Sequence, residues 1–299
     1  MRMLCFFLML APFSAMAALN IFACTPEWGS LAKELGGDKA SVYVATTALQ
    51  DPHKIEARPS LIARARNADL IVCTGAELEI GWLPLVQSQS GNAKIQAGRP
   101  GYFEASSVAT MIEKPERFDR SMGDVHPLGN PHFWLDPENG RRIARAFKDK
   151  LSEMQPADAA FFDHNLKDFE QRLTDAEKRW DAQMAPYKGH KVVTYHRSLP
   201  NFAKRFGLDV VDYVEPKPGI PPTPSHTLEV INKMKQENIK LILVEPYFDM
   251  RTPNSVAQAV GGMALVLLPS VGGEKQVQTY FQLFDYDVNL LTSAFGKYK

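Results

Sequence analysis

The feature that most constrains this chain is a set of short runs with few or no polar positions. Leu241-Ile242-Leu243-Val244 is the clearest, because none of its side chains suits water. A strand exposed on one face alternates apolar and polar residues, whereas a strand covered by helices on both faces does not. Eight runs of apolar and β-branched character occur, at 19–24, 41–46, 68–74 and 93–96, then at 191–196, 208–214, 239–244 and 264–268. Segments of helical period separate them. Thr25-Pro26 opens the first such segment as N-cap and first helical residue, and Gly36-Gly37 closes it. Strands alternating with helices predict an α/β protein of two lobes, each a roughly four-stranded, mainly parallel sheet flanked by helices.

Residues 158–185 contain no Gly and no Pro, and Phe161, Phe162, Leu166, Phe169, Leu173, Ala176 and Trp180 recur there at spacings of three and four. This predicts one amphipathic helix about 40 Å long at 1.5 Å per residue. A helix of that length joins the two lobes, runs along both and limits hinge closure. The expected division is an N-terminal lobe at 18–157, a linking helix at 158–186 and a C-terminal lobe at 187–299.

The N-terminus reads as a secretory signal peptide over residues 1–17. Arg2 precedes an apolar run too short to span a bilayer, and Ala15-Met16-Ala17 supplies the small-residue cleavage site. Cys5 lies inside the apolar run, so it is not read as a lipid-attachment cysteine. Export leaves Cys24 and Cys73 as the only cysteines, in an oxidising compartment. Each ends an apolar run, and two such strands are neighbours in a doubly wound sheet. A disulfide and two buried free thiols are both open readings. Lys and Arg number 34, as do Asp and Glu. That balance argues against nucleic acid as a partner.

The common nucleotide, zincin and α/β-hydrolase motifs are absent. Three histidines stand where chemistry could occur. His53 follows a strand, in Asp51-Pro52-His53. His132 precedes a helix, in Asn130-Pro131-His132-Phe133-Trp134-Leu135-Asp136-Pro137. His196 ends the strand that begins at Lys191. Ligands of α/β sheets bind beyond strand carboxyl ends, and neutral imidazoles from separate segments are natural zinc ligands. His164, His190 and His226 read as surface or loop residues. The five prolines between Val214 and Ser225 predict a stiff loop near the cleft.

These local sequences resemble the periplasmic metal-binding proteins of zinc and manganese ABC importers, the TroA-like solute-binding proteins. The matching stretches are Asp51-Pro52-His53 with Arg58-Pro59-Ser60, then Asn67-Ala68-Asp69-Leu70-Ile71-Val72 leading to Gly75-Ala76-Glu77-Leu78-Glu79. The segment from Asn130 to Pro137, Tyr195-His196-Arg197-Ser198 and the stretch from Phe202 to Leu208 follow in order. The resemblance implies a four-ligand site between two lobes, with His53, His132 and His196 as three ligands. In that family a histidine at the third position goes with zinc and a carboxylate with manganese, so His196 points to Zn2+.

The chain departs from the family pattern twice. The late segment that usually supplies an aspartate reads Leu267-Leu268-Pro269-Ser270, and Leu268 cannot bind metal. Glu245, at the end of the strand 241–244, is then the expected fourth ligand, with Asp249 or water behind it. The loop before His132 also lacks the long His-rich insert of many zinc members. His126 and Asp124 are its remaining candidates for an auxiliary metal site.

The expected protein is a monomeric periplasmic carrier, not an enzyme, that captures Zn2+ and delivers it to an ABC importer permease in the inner membrane. The rivals are a secreted zinc-dependent hydrolase using Glu245 as base, a manganese- or iron-type binding protein, and a surface adhesin on the same fold.

Overall fold

The computed structural model describes residues 17–117 and 119–298. Strands β1 (Leu19–Ala23), β2 (Ala40–Val44), β3 (Leu70–Cys73) and β4 (Tyr102–Glu104) form one parallel sheet in the order β2-β1-β3-β4. Strands β5 (Lys191–Thr194), β6 (Asp209–Tyr213), β7 (Leu241–Val244) and β8 (Met263–Val266) form a second in the order β6-β5-β7-β8. The winding reverses between β1 and β3, and again between β5 and β7. Their carboxyl ends therefore flank the crevice where such sheets bind ligands.

The helices are α1 (Pro26–Gly36), α2 (Pro59–Arg66), α3 (Leu83–Ser90), α4 (Pro137–Met154), α5 (Ala159–Met184), α6 (Pro200–Phe206), α7 (Pro224–Gln236), α8 (Arg251–Ala259) and α9 (Tyr280–Gly296). The longest, α5, buries Phe162, Leu166, Phe169, Leu173, Ala176, Trp180 and Met184 along one stripe. It packs on α1 and α4 of the first lobe and on α9 of the second.

One apolar cluster runs without a break from Ile21 and Val72 of the first sheet, through Phe169 and Trp180 of α5, to Leu241 and Leu243 of the second sheet. Two smaller clusters cover the outer faces, with Phe22 and Ile71 in one and Val193, Ile242 and Val244 in the other. Neighbouring residues of β7 thus enter different cores. This is why its four residues are all apolar.

One expected strand is misplaced. Residues 93–96 do not pair; Ala93–Ile95 is a turn of 3-10 helix, started by the Asn92 side chain accepting from Lys94 N at 3.1 Å. Ile95 is apolar because it plugs the outer core beneath the first sheet. The fourth strand is instead β4, which follows Gly101. A Cβ at Gly101 would stand 2.5 Å from the Asp69 carbonyl oxygen, so only glycine lets the chain lie this close to β3.

Cys24, directly after β1, is disulfide-bonded to Cys73 of β3, with Cα atoms 4.8 Å apart. The free-thiol reading is thereby set aside. Of the expected signal peptide, residues 1–16 lie outside the described residues. Among the described residues, no helix is long and apolar enough to cross a membrane.

Candidate metal centre

Two of the three histidines are delivered by the same local device. In Asp51-Pro52-His53 the Asp51 carboxylate accepts the His53 backbone N–H at 3.0 Å, and in Asn130-Pro131-His132 the Asn130 carbonyl accepts the His132 N–H at 3.0 Å. Each is an Asx turn whose middle residue, proline, has a fixed φ. The Trp82 indole N–H holds the Pro52 carbonyl at 3.0 Å, so the first turn is also anchored to the body of its lobe. The third histidine needs no turn. His196 stands two residues beyond β5, where the Thr194 hydroxyl donates to its carbonyl at 2.8 Å.

These histidines converge from three segments. One ligand atom from each of His53, His132 and His196 lies within 4.8 Å of the other two. Their ring centroids are 5.4–5.7 Å apart. His132 and His196 are buried and His53 is nearly so. A cavity of about 560 Å³ opens onto His132 and His196.

Carboxylates set the ring orientations. Asp51 accepts from His53 Nδ1 at 2.8 Å and Glu215 accepts from His196 Nδ1 at 2.7 Å, which leaves each Nε2 as a lone pair. Burial pushes the Asp51 carboxyl up, but the His53 hydrogen bonds and charge outweigh it and bring it down to about 2. Burial holds His132 well below the ordinary imidazole range, with the neighbouring imidazoles adding to the effect. A neutral ring is the form that binds metal. His132 Nδ1 is buried without a hydrogen-bond partner, as a nitrogen reserved for something else would be.

The expected fourth ligands are placed less simply. Glu245 is buried with neither carboxylate oxygen partnered. It is not part of the three-histidine cluster, and burial raises its carboxyl far above the usual range. Asp249 is half-exposed and accepts from Arg251 Nε at 2.7 Å, so its carboxylate is engaged by a flanking guanidinium at the surface. Leu268 is buried in the main core, and its backbone N–H donates to Asp287 at 3.0 Å.

The two auxiliary candidates have different surroundings. Asp124 is exposed, while its backbone N–H donates to the Pro218 carbonyl at 2.9 Å. His126 turns inward until its Nε2 is 3.3 Å from His53 Nε2, with its Nδ1 2.9 Å from the Ala76 carbonyl. Burial, then the neighbouring His53 and His196, bring His126 down to about 4.

Sequence reading had no role for Asn130 or Glu215. Asn130 Nδ2 donates to the Arg197 carbonyl at 2.8 Å, tying the His132 turn to the His196 loop across the cleft. Glu215 begins the proline-rich segment and also accepts from Gly219 N at 3.0 Å, so that loop and the His196 ring share one carboxylate. The repeated Asx-Pro-His pattern was a visible signal for Asn130. Nothing local marked Glu215, which lies nineteen residues from its histidine.

A family model described as zinc-uptake complex component A, periplasmic (ZnuA), matches residues 21–294. The manganese ABC transporter substrate-binding lipoprotein PsaA of Streptococcus anginosus is 25% identical over 284 residues, which is 93% of this chain and 90% of its own. A crystal structure of ZnuA superposes with a TM-score of 0.78 at 21% identity, covering 93% of this chain and 99% of that one. The Mn-bound periplasmic metal binding protein from candidatus liberibacter asiaticus gives 0.74 at 19% identity, covering 91% and 98%. Both structures share the two-lobed α/β fold.

Proposed function

The chain belongs to this ZnuA family, and from that premise we propose that it is a periplasmic carrier that binds Zn2+ at His53, His132 and His196 and hands it to an ABC importer. Its lobes are 18–157 and 187–299 about the linker 158–186, and it acts as a monomer on an inner-membrane permease once the leader is removed. The single observation that carries the reading is the convergence of three imidazoles, from three separate segments, to within 4.8 Å. Core positions are rarely filled by three facing imidazoles, because each must be desolvated, and here the Nδ1 hydrogens of His53 and His196 are already committed to Asp51 and Glu215.

The donor set supports zinc over manganese. Manganese is suited by oxygen ligands and zinc by imidazole. The two carboxylates nearest the cluster, Asp51 and Glu215, are committed to the outer nitrogens of His53 and His196. They orient ligands and are not free to be ligands. The manganese named for the streptococcal relative therefore does not transfer on chemistry alone. Burial raises the Glu245 carboxyl far above the usual range and so disfavours the carboxylate form that a general base needs, which weighs against the hydrolase alternative.

The test is metal titration of the purified, metal-stripped protein with Zn2+ and Mn2+, by chelator competition. It is repeated on His53→Ala, His132→Ala and His196→Ala. The expected result is one tight Zn2+ per chain, weaker Mn2+, and a large loss of affinity in every variant. Unchanged affinity in all three variants would remove the site, and tighter Mn2+ than Zn2+ would remove the zinc assignment.

A further inference from the structure

We propose that His126 is the fourth ligand, making the cargo site an all-imidazole set of His53, His126, His132 and His196. This rests on the reading above that the other three histidines hold the metal. The argument begins with the two rings that face each other. His53 Nδ1 lies 2.8 Å from a carboxylate oxygen and His126 Nδ1 lies 2.9 Å from a backbone carbonyl oxygen. Both oxygens only accept, so both Nδ1 atoms carry the hydrogen. With both rings in the neutral form that binds metal, each Nε2 presents a lone pair, and the two nitrogens stand 3.3 Å apart. Such a pair repels unless a proton or a metal cation lies between the nitrogens.

The spacing suits a shared metal. Zn–N bonds of about 2.0–2.1 Å in a tetrahedron set neighbouring nitrogens about 3.3–3.4 Å apart. His126 also faces the same 560 Å³ cavity as His132 and His196. Three of the four rings thus have their Nδ1 atoms fixed by outer partners, Asp51, Ala76 and Glu215. This leaves three Nε2 lone pairs turned inward, the arrangement that outer partners impose on metal-binding histidines.

The His126 loop is held by the opposite lobe. Asp124 N donates to the Pro218 carbonyl at 2.9 Å, and Lys217 Nζ donates to the Ser121 carbonyl at 2.7 Å. Both acceptor and donor on the second lobe belong to the proline-rich segment that starts at Glu215. One stiff loop therefore orients His196 through a side chain and positions His126 through the backbone. No described oxygen donor competes for the fourth position as well. Asp249 is paired with Arg251, and Glu245, like His126, stands outside the 4.8 Å group of three histidines; of the two, His126 has a direct contact with a member of that group, its Nε2 lying 3.3 Å from His53 Nε2. A four-nitrogen set excludes the oxygen-rich shell that manganese favours and directs the site to zinc and other imidazole-binding divalent ions.

X-ray absorption at the zinc edge tests the proposal directly, on the zinc-loaded full chain and on His126→Ala. Four imidazole nitrogens are expected in the wild type. The variant should keep one zinc, show three imidazoles with an oxygen, and bind more weakly by at least the ~10–100-fold that loss of a mere outer partner produces. Glu245→Gln should leave the affinity unchanged. Three imidazoles in the wild-type protein, or an affinity unmoved by His126→Ala, overturns the fourth-ligand assignment while leaving the three-histidine site standing. So does a loss of affinity in Glu245→Gln but not in His126→Ala. Wild-type affinity in His53→Ala, His132→Ala and His196→Ala would instead remove the underlying reading. The wild-type count decides the question even if His126→Ala fails to fold.

Discussion

In the first lobe the residue after β1, Cys24, is bonded to Cys73 of β3; in the second, the matching pair is Tyr195, after β5, and Val244 of β7. The backbone hydrogen bonds establish the match, since Cys24 N donates to the Val72 carbonyl at 2.9 Å and Tyr195 N to the Leu243 carbonyl at 2.7 Å. Both pairs are also 49 residues apart, from 24 to 73 and from 195 to 244. The first lobe closes this point covalently. The second closes it by packing, with Tyr195 stacked on Phe248 at 4.4 Å and Val244 fully buried. The next residues differ as well. The second lobe places His196 and Glu245 at its strand ends, whereas the first has Thr25 and Thr74 there, Thr74 accepting from the Trp28 indole at 2.9 Å. The first lobe instead carries its histidines on loops beyond its strands. One topology can therefore present a cleft histidine from a strand end or from an anchored turn. The turn-borne version coincides with the lobe whose strand ends are bonded together.

The largest expected effect breaks the covalent half of this comparison. Cys24→Ser with Cys73→Ser should lower the unfolding free energy by roughly 4 kcal/mol, the loop-closure value for a link of this length. Chemical denaturation checks it. Because one core joins both sheets, the loss should appear as a single shifted transition; a separate early transition of the first lobe would show that the lobes unfold independently.

The second effect concerns a buried carboxyl of the first lobe that takes a hydrogen bond from the second. Glu27 in the first turn of α1 accepts from the Ser270 hydroxyl across the interface, and burial still raises it to about 7 from an ordinary 4.5. Between those values the folded protein holds a proton that the unfolded chain has released, so stability falls as pH rises from 4.5 to 7. Glu27→Gln should remove this penalty, gaining up to about 3 kcal/mol at pH 8 and almost nothing at pH 4.5. Thermal melts across that range check the sign. Glu79, also raised to about 7 by burial, keeps part of the slope in the variant.

Third, Glu215→Gln should weaken zinc binding ~10–100-fold, about 1.4–2.7 kcal/mol, and Asp51→Asn should fall at the lower end of that range. Glu215 is 5% exposed and Asp51 18%, so less water can replace the carboxylate of Glu215. An equal effect of both, by competition titration, would remove this distinction between the lobes. The smallest change is expected on α5. Arg172 pairs with Glu34 of the first lobe, and Arg205 of the second pairs with Asp181 at 2.5 Å. Either arginine replaced by alanine should cost under about 1 kcal/mol in a denaturation titration, as partly exposed ion pairs do.

The sheets and the linking helix were legible because burial on both faces and a 3.6-residue period leave marks in nearby residues. Residues 93–96 misled because an apolar residue plugging a core from a turn looks like one in a strand. Among the site residues, the three histidines carried local signatures of proline and strand end. The inward turn of His126 and the pairing of Glu215 with His196 did not. Both depend on where two distant loops meet, and no short window of sequence contains that information. Glu245 was singled out by its topology, and topology alone did not reveal that it would be fully buried, with its carboxyl raised by that burial, and would lie outside the cluster.

The unbroken core beneath both sheets has a mechanical consequence. A binding protein that closes like a clamshell binds its ligand only through the fraction of molecules already closed, and its apparent affinity is reduced by that fraction. Here Ile21 and Leu243, one from each sheet, belong to a single apolar mass that hinge opening would have to split. Wide opening of the lobes is therefore disfavoured, and only a small reduction of that kind is expected. If the proposed site fills, its effect is expected first in the two facing loops that run through His126 and Pro218, which are joined by the Asp124 N–H and the Pro218 carbonyl.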